Sequence, residues 1–440
     1  MPPISIDLLL NCQWVLPIVP NDQILHNHSV AINGGRIIEI LPTKAAIQKY
    51  SSAQTEELNR HILMPGLVNT HGRSSARLVR DIENTIQAQQ SSELGYSEPE
   101  TIFSDPKFIN DSINIAIAEM IKTGTTCFAE MHCAGELFID IARKAGIRSQ
   151  AGFALQEKSS IYGKDAEDYL HRGLKLRDNH ANHPLIKIAC SLTNISDLED
   201  STLERLGAYA NELDLPIQIE CNESLEAIEK CLQKTGHRPL QRLNNKGLLL
   251  PETQLIIMSH INSEDRNLLD KTNNHIVICP QENTVLSVNN EQAELLSQTT
   301  FNISLGNSDP TASKNPNLMA KVTAAAIAID ATHKQKSQSQ TAHKALRMAT
   351  INGAKTLGWD SQIGSIESGK YADLIAIEID SIQYQPLYNP ATQLVYSGNS
   401  SPVTHSWVAG QQLLKTGNLC TIDEQKLIQS AKDWGKKLVN

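Results

Sequence analysis

No run of lysine or arginine gathers anywhere in the 440 residues, and 39 basic side chains stand against 48 acidic ones, for a net charge of -9. Such a chain has no broad attraction for a phosphate backbone or an anionic lipid surface, so neither nucleic acid nor membrane is expected as a partner. No stretch approaches the roughly 18 consecutive apolar residues of a membrane span. The opening MPPISIDLLLNCQWVLPIVPND has no basic segment ahead of its apolar one, so a secretory leader is not expected. Cysteine occurs eight times but never as a CxxC pair. Scattered through apolar, strand-like runs, these residues read as buried thiols of a reducing compartment, and a cytoplasmic location is the expectation.

Apolar residues make up 40% and charged ones 20%, the ordinary mixture of a globular protein whose core needs no staples. Three zones follow one another. From Ile4 to Leu63, short apolar runs are broken by turn residues, among them Asn33-Gly34-Gly35, a hairpin signal. From about Pro65 to Leu357, apolar strands such as IRSQAGFAL, LIKIACSL, PIQIEC, TQLIIMSH, HIVICP and FNISLG alternate with helix-length amphipathic segments. That alternation predicts an α/β parallel (β/α)8 barrel. After Gly358 the strand-and-turn pattern returns. The expected organisation is a barrel over 64-357 and a small composite β-sandwich domain formed from 1-63 plus 358-440, the N- and C-terminal segments pairing beside the barrel. The polar tract Thr332 to Thr341 (THKQKSQSQT) reads as a surface loop.

Several motifs carry a resemblance: Met64-Pro65-Gly66-Leu67-Val68-Asn69-Thr70-His71, Gly124-Thr125-Thr126-Cys127-Phe128-Ala129-Glu130-Met131, LRMATINGAKTLG, and IGSIESGKYADLIAI. They resemble the amidohydrolase superfamily, and within it the methylthioadenosine/S-adenosylhomocysteine deaminases and triazine chlorohydrolases. The resemblance extends over nearly the whole chain. It implies a TIM barrel with a terminal β-sandwich, a divalent metal at the C-terminal mouth, and hydrolysis of a carbon-nitrogen bond in a purine-like ring. It also implies a homodimer, or a structural subunit paired with an active relative.

The family writes its metal site as His-x-His after the first barrel strand, His-x-x-Glu after the fifth, a histidine after the sixth and an aspartate after the eighth. Here the first reads His71-Gly72-Arg73 and the second Glu220-Cys221-Asn222-Glu223. An arginine cannot coordinate a metal. Ser259-His260 keeps the third motif, and the fourth falls in Gly306-Asn307-Ser308-Asp309, where either Ser308 or Asp309 takes the ligand position. In Ile188-Ala189-Cys190-Ser191-Leu192-Thr193 the chain also lacks a histidine that, by the resemblance, touches substrate in the family.

Two readings follow. In the first, Arg73 fills the vacated metal position and pairs with Glu220, with no cofactor bound and hydrolysis impaired; the chain then binds a small-molecule ligand or a partner without turning it over. In the second, His71, Glu220, His260 and Asp309 hold one divalent ion, zinc, iron or manganese, with Glu223 as proton shuttle. The catalytic candidates are Glu223, His260 and Asp309. The metal candidates are His71 and Glu220, and Arg80 and Glu130 are expected to shape the substrate pocket.

Overall fold

The computed structural model describes residues 2-20, 22-80, 105-131, 135-160, 162-257, 259-280, 290-297, 300-307, 315-332, 337-397 and 402-439. The chain starts with β1 (Ile4–Val15), β2 (Leu25–Asn33), β3 (Arg36–Pro42) and the long β4 (Tyr50–Pro65). The turn between β2 and β3 is the one that Asn33-Gly34-Gly35 announces. Gly34 and Gly35 both have positive φ, 58° and 73°, the left-handed pair that a tight hairpin turn requires.

The barrel strands follow: β5 (Leu67–Gly72), β6 (Thr125–Glu130), β7 (Arg148–Ala154), β8 (Ile186–Leu192), β9 (Ile217–Cys221), β10 (Thr253–Ile257), β11 (His275–Ile278) and β12 (Asn302–Leu305). They form one eight-stranded parallel sheet in chain order, with helices between successive strands. The first and last strands meet where the Thr70 hydroxyl donates to the Leu305 carbonyl at 2.9 Å and the Asn307 amide donates to the His71 carbonyl at 2.9 Å. This is a TIM barrel. Its main core lies between strands and helices, where Phe128, Ile188, Ile217, Leu255 and Leu305 join helix residues such as Ile113, Leu206 and Val322.

The last strands are β13 (Leu374–Glu378), β14 (Val403–Val408), β15 (Gln411–Lys415) and β16 (Asn418–Leu419). The expected pairing of the two chain ends is present, but its hydrogen bonding runs unbroken through one eight-stranded sheet, β16-β15-β14-β13-β4-β1-β2-β3. The 16-residue β4 makes this continuity possible. Along most of its length it runs parallel to β1, and its last residues, His61 to Pro65, pair antiparallel with β13.

A buried cluster of Leu10, Val30, Ile37, Leu58, Leu374 and Trp407 draws on both chain ends. Not all of the C-terminal segment is β-structure, since the helix Glu424–Val439 packs Trp434 edge-on against Phe108 of the first barrel helix, Pro106–Lys122. The polar tract ending at Thr341 also departs from the loop expectation. Ser337 caps a helix, Gln338–Met348, by accepting the Ser339 amide, so the tract's last four residues form a first turn.

Candidate functional site

Strand alternation determines which side chains enter the barrel. On β9, Gln218 and Glu220 point inward. Gln218 Nε2 donates to Gln150 Oε1 at 2.7 Å, and Gln254 Nε2 donates to the same oxygen at 3.0 Å, so amides from β7, β9 and β10 form a buried polar layer. Nearer the C-terminal mouth, Glu220 Oε1 stands 3.7 Å from His71 Nε2, with the two side chains 15% and 3% exposed. The first and fifth strands thus bring together two of the residues singled out by motif.

His71 owes its place to a glycine. A Cβ at Gly306 would lie 2.7 Å from His71 Cβ and 3.0 Å from its backbone nitrogen, so only glycine lets the end of β12 pass this closely.

Beyond β9 the chain turns sharply at Asn222, which has a φ of 54°. Its carbonyl accepts the amides of Ser259 and His260 at 3.0 and 3.3 Å. The Asn222 amide group donates to the His260 carbonyl and to Asp265, each at 3.1 Å. Arg238 donates to the same two acceptors, reaching Asp265 at 2.6 Å. The loops carrying Glu223 and His260 are therefore stitched into one unit by Asn222, Arg238 and Asp265. The sequence reading missed these three. The signal for one of them was present, since Asn262-x-x-Asp265 forms a capping box at the start of the helix Ser263–Thr272.

Glu223 lies exposed at the mouth, yet the protein mass around it raises its carboxyl above the ordinary value by desolvation.

The other expected residues take different places. Glu130, at the end of β6, is fully buried, and its Oε2 accepts the Ser74 amide at 2.7 Å and the Ser74 hydroxyl at 2.5 Å, anchoring the 3₁₀ turn Ser74–Val79. Arg80 and Arg77 both donate to the Glu119 carboxylate on the first barrel helix. Arg73 lines a cavity of about 40 Å³ together with Asn69, Ser74, Arg77 and Asn307. Ser308 and Asp309 lie outside the described residues.

Of the candidate metal ligands, His71, Glu220 and His260 are described and Asp309 is not. A catalytic zinc takes three protein ligands, position 73 holds a guanidinium, and among the described residues no three His, Cys, Asp or Glu side chains converge to hold an ion.

Residues 62–413 match the model of the amidohydrolase family. The 5-methylthioadenosine/S-adenosylhomocysteine deaminase of Teredinibacter turnerae is 35% identical over 439 residues, 99% of this chain and 98% of that protein. The enzyme of the same name from Saccharophagus degradans is 33% identical across 98% and 97% of the two chains. Among solved structures, an adenosine deaminase from Xanthomonas campestris with bound zinc superposes with a TM-score of 0.88 at 27% identity, covering 99% of both chains. Atrazine chlorohydrolase from Arthrobacter aurescens TC1, complexed with zinc, shares the fold with a TM-score of 0.81 at 18% identity, over 98% of this chain and 100% of that one. With the motifs, the barrel and these relatives in agreement, the chain belongs to the amidohydrolase family.

Proposed function

We propose that this amidohydrolase-family protein keeps the barrel of its deaminase relatives and binds an adenosine-like nucleoside at the C-terminal mouth, while its hydrolytic reaction is impaired. The observation that carries the reading is the His71–Glu220 contact at the barrel mouth beside a motif whose second histidine is replaced by Arg73. A guanidinium supplies permanent positive charge but no lone pair. Set near ligand positions, it satisfies carboxylates there and opposes the approach of a dication. In this reading Arg73 and Glu220 replace the metal's charge with one of the chain's own.

The nucleoside assignment rests on the names of the relatives and on the polar groups at the mouth. An aminopurine presents ring-nitrogen acceptors and an exocyclic amino donor. The carboxylates of Glu220 and Glu223 are acceptors that match the amino donor. The ligand is thus oriented by carboxyl groups held on strand ends, with no activated water routed to it. The thiols of Cys12, Cys127, Cys190, Cys221, Cys231, Cys279 and Cys420 are all free, and among the described residues no helix is long and apolar enough to cross a membrane. Both features agree with the cytoplasm as its location.

A second reading is favoured by the 3.7 Å gap itself, which is wider than a direct hydrogen bond and near the spacing of two ligands on one ion. In it His71, Glu220, His260 and Asp309 hold a divalent ion and Glu223 moves protons.

Elemental analysis of the protein purified without chelator, followed by assays of ammonia release from methylthioadenosine and S-adenosylhomocysteine, separates the two. The proposal expects no stoichiometric metal even after zinc, manganese or iron is supplied, no ammonia, and measurable nucleoside binding by calorimetry. The double substitution Arg73→His, Glu220→His is expected to bring back about one ion per chain by restoring the four histidines of the family motifs, two of them His71 and His260. One equivalent of metal in the unaltered protein, with chelator-sensitive ammonia release, would sink the proposal in favour of the second reading.

A further inference from the structure

At the end of the barrel opposite His71 and Glu220, a cavity of about 700 Å³ lies at the N-terminal end of β12, bordered by the helices Gln338–Met348 and Ile351–Thr356. Helical spacing builds its lining. His343 and Arg347 stand four residues apart on one face of the first helix, Lys344 is beside them, and Lys355 comes from the second. The carboxylates that line the cavity are Asp22 and Asp360, both on exposed turns, and Glu367, outside the lining, also acts on Arg347. Among the lining residues three permanent cations, Lys344, Arg347 and Lys355, thus meet two carboxylates in a molecule whose net charge is -9.

Two of these groups are unusual for their surroundings. His343 is only 4% exposed, and its Nε2 has no hydrogen-bond partner among the described residues, while its Nδ1 stands 3.8 Å from Asp22 Oδ1. Arg347 donates one Nη1 bond to the Ile18 carbonyl at 3.0 Å. Its burial lowers its pKa below the ordinary guanidinium value, the mark of a cation only partly compensated. A guanidinium has five donors in a planar fork, the geometry that suits the oxygens of a phosphate.

The volume falls within the roughly 300–1,000 Å³ of small-molecule pockets and exceeds what a bare phosphate fills. Phe301 and Met348 add apolar wall for the rest of a ligand.

We propose that this cavity is a second binding site, separate from the pocket at the C-terminal mouth, for a phosphorylated small molecule of about nucleotide size. Arg347, Lys355 and His343 take the phosphate, and the wall at Phe301 and Met348 takes the uncharged part.

Calorimetry on the full chain with ribose 5-phosphate, and with ribose as the neutral control, tests it. Binding of the phosphate ester but not of ribose is expected, weakened about tenfold or more by Lys355→Gln and by Arg347→Lys, which keeps the charge and loses the fork. Lys355 is exposed, so its replacement leaves the fold intact and isolates the contact. The double substitution at Arg73 and Glu220 is expected to leave this binding unchanged, so the result stands apart from that of the nucleoside proposal. Equal binding of ribose, equal binding of citrate, unaltered affinity in Lys355→Gln, or loss of binding in the mouth variant would each overturn the assignment.

Discussion

His71 reaches Glu220 because position 306 carries no side chain. The same close approach makes Gly306→Ala informative: its methyl would press on His71 Cβ at 2.7 Å and on the space near Cys279 Sγ at 3.0 Å. Overpacking of this kind costs about 1–3 kcal/mol. The variant is expected to melt earlier than the parent and to bind nucleoside more weakly, as thermal unfolding and calorimetry will report. Unchanged melting and binding would show that β12 yields without moving His71.

Motif position alone makes His71, Glu220, Glu223 and His260 candidates, and the structure sets His71 beside Glu220 and ties the His260 backbone to Asn222. Arg80 and Glu130 were named by nearness in sequence to the same motifs. The partners they take, Glu119 and Ser74, come from a helix and from a turn that local sequence does not place.

At the scale of elements, the fifth and sixth strands deliver their loops as a pair. Asp265, 1% exposed, accepts from Arg238 and Asn222 and also from the Asn262 amide that it caps at 3.3 Å. Asp265→Ala removes the acceptor shared by all three and leaves Arg238 without its carboxylate. Losing one partner of such a charged network typically costs about 3–5 kcal/mol where it is buried, with the exposed part of Arg238 reducing that here. The expected result is faster amide hydrogen exchange across both loops and weaker ligand binding at the mouth, with exchange in the β1–β4 sheet unaffected. Protection unchanged at residues 222–265 would refute the stitching role.

Element signals differed in strength for a physical reason. A glycine pair with positive φ dictates the β2–β3 hairpin locally. The helix beginning at Gln338 starts inside a polar, low-complexity tract whose apolar contacts lie further on, at Ala342, Ala345 and Leu346.

Across the whole molecule, one buried ion pair ties the barrel to the terminal sheet. Arg148, at the start of β7, donates to Asp373 at 2.7 and 3.1 Å, with side chains 0% and 1% exposed. Asp373 also accepts the Ala409 amide at 2.7 Å, and the Arg148 guanidinium sits 4.2 Å from the centre of the Trp359 ring. Asp373→Ala strands a buried guanidinium and is expected to cost about 3–5 kcal/mol, measured as a fall in the urea midpoint. The double replacement Arg148→Met, Asp373→Leu removes both charges and is expected to lose distinctly less. A single variant as stable as the parent would show that the pair contributes nothing to holding the two parts together.

Periodicity, hairpin glycines and motif order are local properties of a chain, and they determined the alternating barrel, the pairing of the chain ends, and which positions mark the mouth. They carried that much because a parallel barrel takes its strands in chain order, so local alternation translates directly into topology. Three things were decided by tertiary structure alone: the continuity of the terminal sheet through the long β4, the stitching of Asn222, Arg238 and Asp265 behind His260, and the basic cavity at the far end of β12. Each depends on contacts between residues distant in sequence, and no spacing within one segment encodes the distance at which two segments meet.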